Sequence, residues 1–161
     1  MTVQEFNQCV DQFSDGVYRF ILKNIKDEDK AKDIVQSTYE KLWIKADGVS
    51  FNKAKSYIFS TAYHTMIDSI RKDKRMEAIE EQNACEPSYN DEYKGLEAIL
   101  ETALQKLPEI QRSVILLRDY EGYSYEEIGE ITQLNESQVK VYIYRARKTM
   151  KEFIGNLEQV L

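Results

Sequence analysis

The chain has 161 residues, 31% of them charged and 42% hydrophobic, with a formal net charge of −6. That length holds one ordinary domain or two small ones, with enough apolar side chains for packed cores. The acidic balance argues against a protein that coats nucleic acid indiscriminately. Two widely separated cysteines, Cys9 and Cys85, and a lone His64 leave no spacing for a metal cluster.

The cysteines read as reduced thiols of a cytosolic protein. No signal-peptide pattern or transmembrane run stands out, so a soluble, cytoplasmic protein is expected. Only two Pro and six Gly argue for a helical chain. Charge is unevenly distributed. Residues 1–75 hold 13 basic and 11 acidic side chains, residues 76–95 hold one and six, and residues 96–161 hold eight and 11.

Phe6, Val10, Phe13, Val17, Phe20 and Ile21 recur at helical spacing and predict a first helix over residues 4–25. Lys26–Asp29 is a charged turn, with Asp29 as a cap. A second helix over 30–46 carries Ala31, Ile34, Val35, Thr38, Tyr39, Leu42 and Trp43, and Asp47–Gly48 ends it. After a short loop, a third helix runs from Lys53 to Lys74. It starts with Tyr57, Phe59 and Tyr63 and ends with the basic run Arg71–Arg75. Aromatic rings upstream of basic groups suit base stacking beside phosphates. Core rings before a solvated helix end would look the same.

Residues 76–95 break the periodicity with six acids and Pro87 and read as a flexible linker. Its carboxylates are expected to shield basic surfaces in the free protein. From Leu96, the residues Leu96, Ile99, Leu100, Ala103, Leu104 and Leu107 predict the next helix, and Pro108 opens another. Gly122 suits the left-handed position after that helix. Ser124 with Glu127 makes a capping box for a short helix, and Asn135 with Gln138 makes a second. The last helix carries an apolar stripe of Val139, Ile143, Ala146, Met150 and Phe153. Its other face is basic: residues 136–151 hold five Lys or Arg against one acid. A capped short helix followed by a helix with one apolar and one basic face is what a helix-turn-helix requires.

The expected fold is therefore all-α, in two small helical domains. Residues 1–75 form a three- to four-helix bundle, residues 76–95 the acidic linker, and residues 96–161 a four-helix domain with the helix-turn-helix. No nucleophile–base pair, phosphate loop or metal set suggests an enzyme, and no cofactor is expected.

Taken together, the chain resembles a sigma-70 family transcription initiation factor of the extracytoplasmic function (ECF) group. The segment LPEIQRSVILLRDYEGYSYEEIGEITQLNESQVKVYIYRARKTM resembles that family's region 4. KDIVQSTYEKLWIK and FNKAKSYIFSTAYHTMIDSIRKDKR resemble successive parts of its region 2. The resemblance implies three partners: core RNA polymerase, promoter DNA, and an anti-sigma factor, membrane-bound or not. It implies no small-molecule substrate.

It also implies roles. Asp33, Ile34, Gln36, Tyr39, Leu42 and Trp43 would face the polymerase clamp, sharing some of their apolar surface with the bundle core. Phe51 and Asn52 would hold a base flipped from the minus-10 element, with Tyr57, Tyr63 and His64 near the unstacked strand. Arg71, Lys72, Lys74 and Arg75 would hold phosphates, and Asp68 would pair with Arg71 or Lys72. Arg118 would contact the minus-35 backbone, while Ser137, Lys140, Val141, Tyr144, Arg145 and Lys148 would serve the minus-35 major groove. Val141-Tyr142 stands where members often have Ser-Arg, so Val141 offers only apolar contact, for instance to a thymine methyl.

Overall fold

The structure, a computed structural model, describes residues 1–80 and 95–160. Among them there are helices and no strands. Seven α-helices follow in order: α1 (Val3–Ile25), α2 (Glu28–Ile44), α3 (Ala54–Glu80), α4 (Gly95–Gln105), α5 (Glu109–Ile115), α6 (Tyr125–Thr132) and α7 (Glu136–Val160). Two 3₁₀ turns, Ala46–Gly48 and Phe51–Lys53, join α2 to α3. Helix α5 runs on into a π-helical turn over Leu116–Tyr120.

Local chemistry sets most of these bounds. Thr2 and Glu5 form a capping box at α1. The cap of α2 is Asp27 rather than Asp29: its carboxylate accepts from the Lys30 N–H at 3.1 Å. Lys26 takes the left-handed conformation that ends α1, so only Lys26 and Asp27 separate the helices and the cap falls earlier. Pro108 is itself the cap of α5, just outside it. Helix α3 continues to Glu80, into the stretch expected to be linker; residues 81–94 lie outside the described residues.

One apolar core results, with a part in each half. Cys9, Val17, Phe20 and Ile21 of α1 meet Ala31, Ile34 and Leu42 of α2 and Ile58, Ala62 and Met66 of α3. In the second half, Leu104, Val114, Leu116, Leu117, Ile128, Ile131, Val139, Ile143 and Ala146 are all buried. Fully burying one such side chain is worth about 1.5–3 kcal/mol.

The halves pack on each other, α3 against α6 and α1 against α5 and the π turn. Phe59, only 1% exposed, bridges them, with its ring 6.1 Å from Phe20 and 5.0 Å from Tyr123. The ion pairs across this interface have one polarity. The cations Arg19, Lys26 and Lys55 come from the first half, and the carboxylates Glu121, Glu101 and Glu127 from the second. Ser56 also donates to Glu130 at 3.3 Å, and Arg112 to the Asn24 side chain at 3.0 Å. Burial at that contact lowers the Arg112 pKa. The uneven charge of the sequence thus reappears as a complementary interface.

Candidate nucleic-acid and polymerase interfaces

Helices α6 and α7 stand in a helix-turn-helix. Ser124 and Glu127 cap α6 reciprocally at 3.1 Å each way. The hydrogen bond from the Ser124 backbone N–H first, then the Ser124 hydroxyl and the Lys55 charge, hold the Glu127 carboxyl below its ordinary range. Gln133 takes a left-handed conformation at the turn. Asn135 and Gln138 then cap α7 with bonds of 2.8 and 3.0 Å. A Cβ on Gly129 would lie 2.7 Å from the Leu134 carbonyl oxygen, so the tightness of this turn requires glycine there.

The α7 stripe packs as its period demands: Val139, Ile143, Ala146 and Met150 are buried and Phe153 is half-buried. This leaves Ser137, Lys140, Val141, Tyr144, Arg145 and Lys148 exposed on the other side, with Tyr144 at 68%. Arg118 reaches this face from the π turn. Its Nη1 donates to the Tyr123 carbonyl at 2.9 Å, and its guanidinium lies 4.4 Å from the centre of the Tyr125 ring. The π turn closes through the Glu121 N–H to the Leu116 carbonyl at 3.0 Å, and Gly122 follows with positive φ. Asp119, next to Arg118, takes Arg147 in a bidentate pair at 2.6 and 3.2 Å.

A second surface lies on α3 and the turn before it. Arg71, Lys72, Lys74 and Arg75 are all exposed. The pair expected of Asp68 does not form; Asp73 instead pairs with Lys30 of α2. Asn52 is exposed, while Phe51, Tyr57 and His64 are half-buried. Tyr63 is 7% exposed, and desolvation, followed by the Glu109 charge, pushes its phenol up to about 12. His64 lies beside it with ring centres 5.3 Å apart, and its Nε2 is buried without a hydrogen-bond partner among the described residues.

A third surface, where the end of α2 meets the start of α1, is apolar. Trp43 is 53% exposed and Ile44 79%. Phe6 of α1 packs edge-on against Trp43 at 5.1 Å and Tyr39 at 6.2 Å. With Gln36 and Glu40 these residues line an open groove of about 530 Å³. Asp33 is also exposed. Ile34 and Leu42, expected on this surface, are 5% and 0% exposed. They point into the bundle and support the surface from beneath, so they cannot touch a partner directly.

The sequence profile of Sigma-70 region 2 matches residues 9–76, and that of Sigma-70 region 4 matches residues 97–150. The chain is 32% identical over 146 residues to RNA polymerase sigma factor SigV of Bacillus subtilis (strain 168), across 89% of this chain and 87% of that protein. It is 29% identical over 159 residues to ECF RNA polymerase sigma factor SigM of the same strain, across 94% of each. The chain belongs to the ECF group of the sigma-70 family. The fold agrees. The sigma factor RpoE, solved with the anti-sigma factor NepR from Bartonella quintana, superposes with a TM-score of 0.79 at 24% identity, over 95% of this chain and 98% of that one. CnrH, solved with the cytosolic domain of CnrY, superposes at 0.71 and 21% identity, over 94% of this chain and 88% of that one.

Within this sigma factor, several features escaped the sequence reading. Ile44 and Phe6 complete the apolar groove, although both sit in stretches that read as ordinary amphipathic helix. Tyr125 collects Arg118 and Lys140 around its ring. Ring proximity between segments seven and 15 residues apart leaves no periodic signal. The pairing of Glu121 with Arg19 spans 102 residues and is equally invisible to local pattern.

Proposed function

We propose that this sigma factor directs promoter-specific initiation by docking on core RNA polymerase through the α1–α2 groove and reading two promoter elements. One chain carries both an exposed aromatic groove (Phe6, Tyr39, Trp43) and a separate exposed recognition face (Val141, Tyr144, Arg145, Lys148), and this observation carries the reading. Exposed aromatic surface of this kind suits a protein partner. The basic face of α7 suits phosphates and base edges of the minus-35 groove.

In this reading α3 and its preceding turn serve the minus-10 element. Phe51 and Asn52 receive an unstacked base, Tyr57 and His64 flank the strand, and Arg71, Lys72, Lys74 and Arg75 hold its phosphates. Opening the duplex costs a few kcal/mol per unpaired base, which stacking and a base pocket offset. Tyr63 is 7% exposed in the packed chain, so it offers the strand little of its ring. An anti-sigma factor is the proposed antagonist, by analogy with the complexes of similar fold.

The reading is tested by a gel-shift titration with and without core polymerase. The expected result is a promoter complex that forms with core and is at least about tenfold weaker without it. Equal DNA affinity in both arms would instead identify a regulator that does not serve polymerase.

A further inference from the structure

Tyr125, the first residue of α6, sits where two segments, the π turn and α7, bring cations together. Arg118 comes from the π turn, with its guanidinium carbon 4.4 Å from the ring centre. Lys140 comes from α7, with Nζ at 5.7 Å. Arg147, also from α7, has its pKa raised by the hydrogen bond to Asp119 first and, more weakly, by Tyr125. The ring is half-buried, while Lys140 is exposed and Arg118 half-buried.

We propose that Tyr125 is a positioning residue: its ring clamps Arg118 and Lys140 into one cationic pair at the entrance of the recognition helix, so that both meet the same stretch of minus-35 backbone. The assignment rests on the reading of α7 as the minus-35 helix and names what aims its cations. Arg118 has no carboxylate partner among the described residues; its one bond goes to the Tyr123 carbonyl. Lys140 has only the i, i+4 pair with Glu136 at 3.3 Å, and both side chains are more than half exposed. So exposed a pair restrains Lys140 little. The π-face of Tyr125 is the restraint that the two cations share. A long side chain immobilised only on binding costs about two- to tenfold in affinity, and the clamp places that cost in folding rather than in binding.

Two variants separate the ring from its bulk and from its hydroxyl. Tyr125→Leu keeps apolar volume and removes the π-face. Tyr125→Phe keeps the π-face. In the free chain, the Arg118 side-chain protons should show an upfield ring-current shift in wild type and in Tyr125→Phe, and lose it in Tyr125→Leu. With holoenzyme and a promoter fragment bound by wild type, affinity is measured between about 50 and 200 mM salt. Tyr125→Leu should bind about five- to tenfold more weakly, with a salt slope shallower by about one to two, since each phosphate contact contributes about 0.9. Tyr125→Phe should stay within about twofold of wild type in affinity. A merely structural role would lower the melting temperature and affinity with the slope unchanged, and that result overturns the proposal. So would a Phe variant as weak as Leu, a Leu variant that binds like wild type, or no ring-current shift in wild type. A wild-type holoenzyme that binds no promoter overturns the sigma reading and this role together, whereas failure of the variants alone leaves the sigma reading intact.

Discussion

Replacing Glu121 by Arg should part the two halves of the chain. The Glu121 side chain is 6% exposed, and both its oxygens accept from Arg19, at 2.7 Å each. That bond is the largest reason the Arg19 guanidinium holds its proton more tightly than usual. The Arg19 side chain is 49% exposed, so solvent screens part of the attraction, and the pair's own contribution is taken as about 1–3 kcal/mol. Reversal does more than delete the pair, because it sets a guanidinium against Arg19. The packed-to-parted ratio should fall by about tenfold to a hundredfold, by the tenfold that each 1.4 kcal/mol represents. The remaining contacts across the interface, Lys26 with Glu101, Lys55 with Glu127, Arg112 with Asn24 and Phe59 with Tyr123, then have to offset that repulsion. Small-angle scattering checks this. A packed chain of this length should have a radius of gyration of about 15 Å, and the variant should be clearly larger. Adding Arg19→Glu should restore compactness by re-forming the pair in reverse. An unchanged radius in the single variant would show that the apolar contact alone holds the halves.

The second large effect concerns separability. Trp43→Ala removes the most exposed large ring of the α1–α2 groove and the partner of Phe6. Anchors of this type are worth about 2–4 kcal/mol, so affinity for core polymerase should fall by about 30- to 1000-fold. The fold should survive, because the ring is half in solvent and the bundle core beneath it, Ile34 and Leu42, is untouched. Lys140→Ala and Arg145→Ala should do the opposite. Both side chains are exposed on α7, so their loss should leave polymerase affinity unchanged and weaken promoter binding by the holoenzyme about tenfold each. Co-purification with core and promoter titration read the two quantities independently. Equal losses in both assays for either class of variant would contradict the division into two surfaces.

Much of this architecture was legible in the residues. The α7 stripe from Val139 to Met150 is buried as its spacing demands, because a 3.6-residue period is a direct record of which face meets a core. The capping boxes at Ser124 and Asn135 formed because they need only residues three apart. Helix bounds drifted where a competing local choice won. Asp27 capped α2 because Lys26 turns left-handed, and α3 ran on to Glu80 because nothing in Met76–Glu80 breaks a helix. What periodicity did not supply was the division between core and surface on α2. Ile34, Tyr39, Leu42 and Trp43 are all apolar or aromatic, and only the angle at which α1 and α3 approach decides that Ile34 and Leu42 go inside. The packing of the two halves was out of reach for the same reason. Arg19 and Glu121 are surface charges in their own helices, and each becomes an interface residue only through the other.

The most direct test is run-off transcription with core RNA polymerase, this chain, and a library of DNA fragments from the source genome. The reading predicts discrete transcripts that appear only when core and chain are both present, from start sites preceded by two shared sequence elements. Lys140→Ala should reduce these transcripts, and Trp43→Ala should abolish them. Transcripts independent of the chain, or none from any fragment despite stable binding to core, would contradict it.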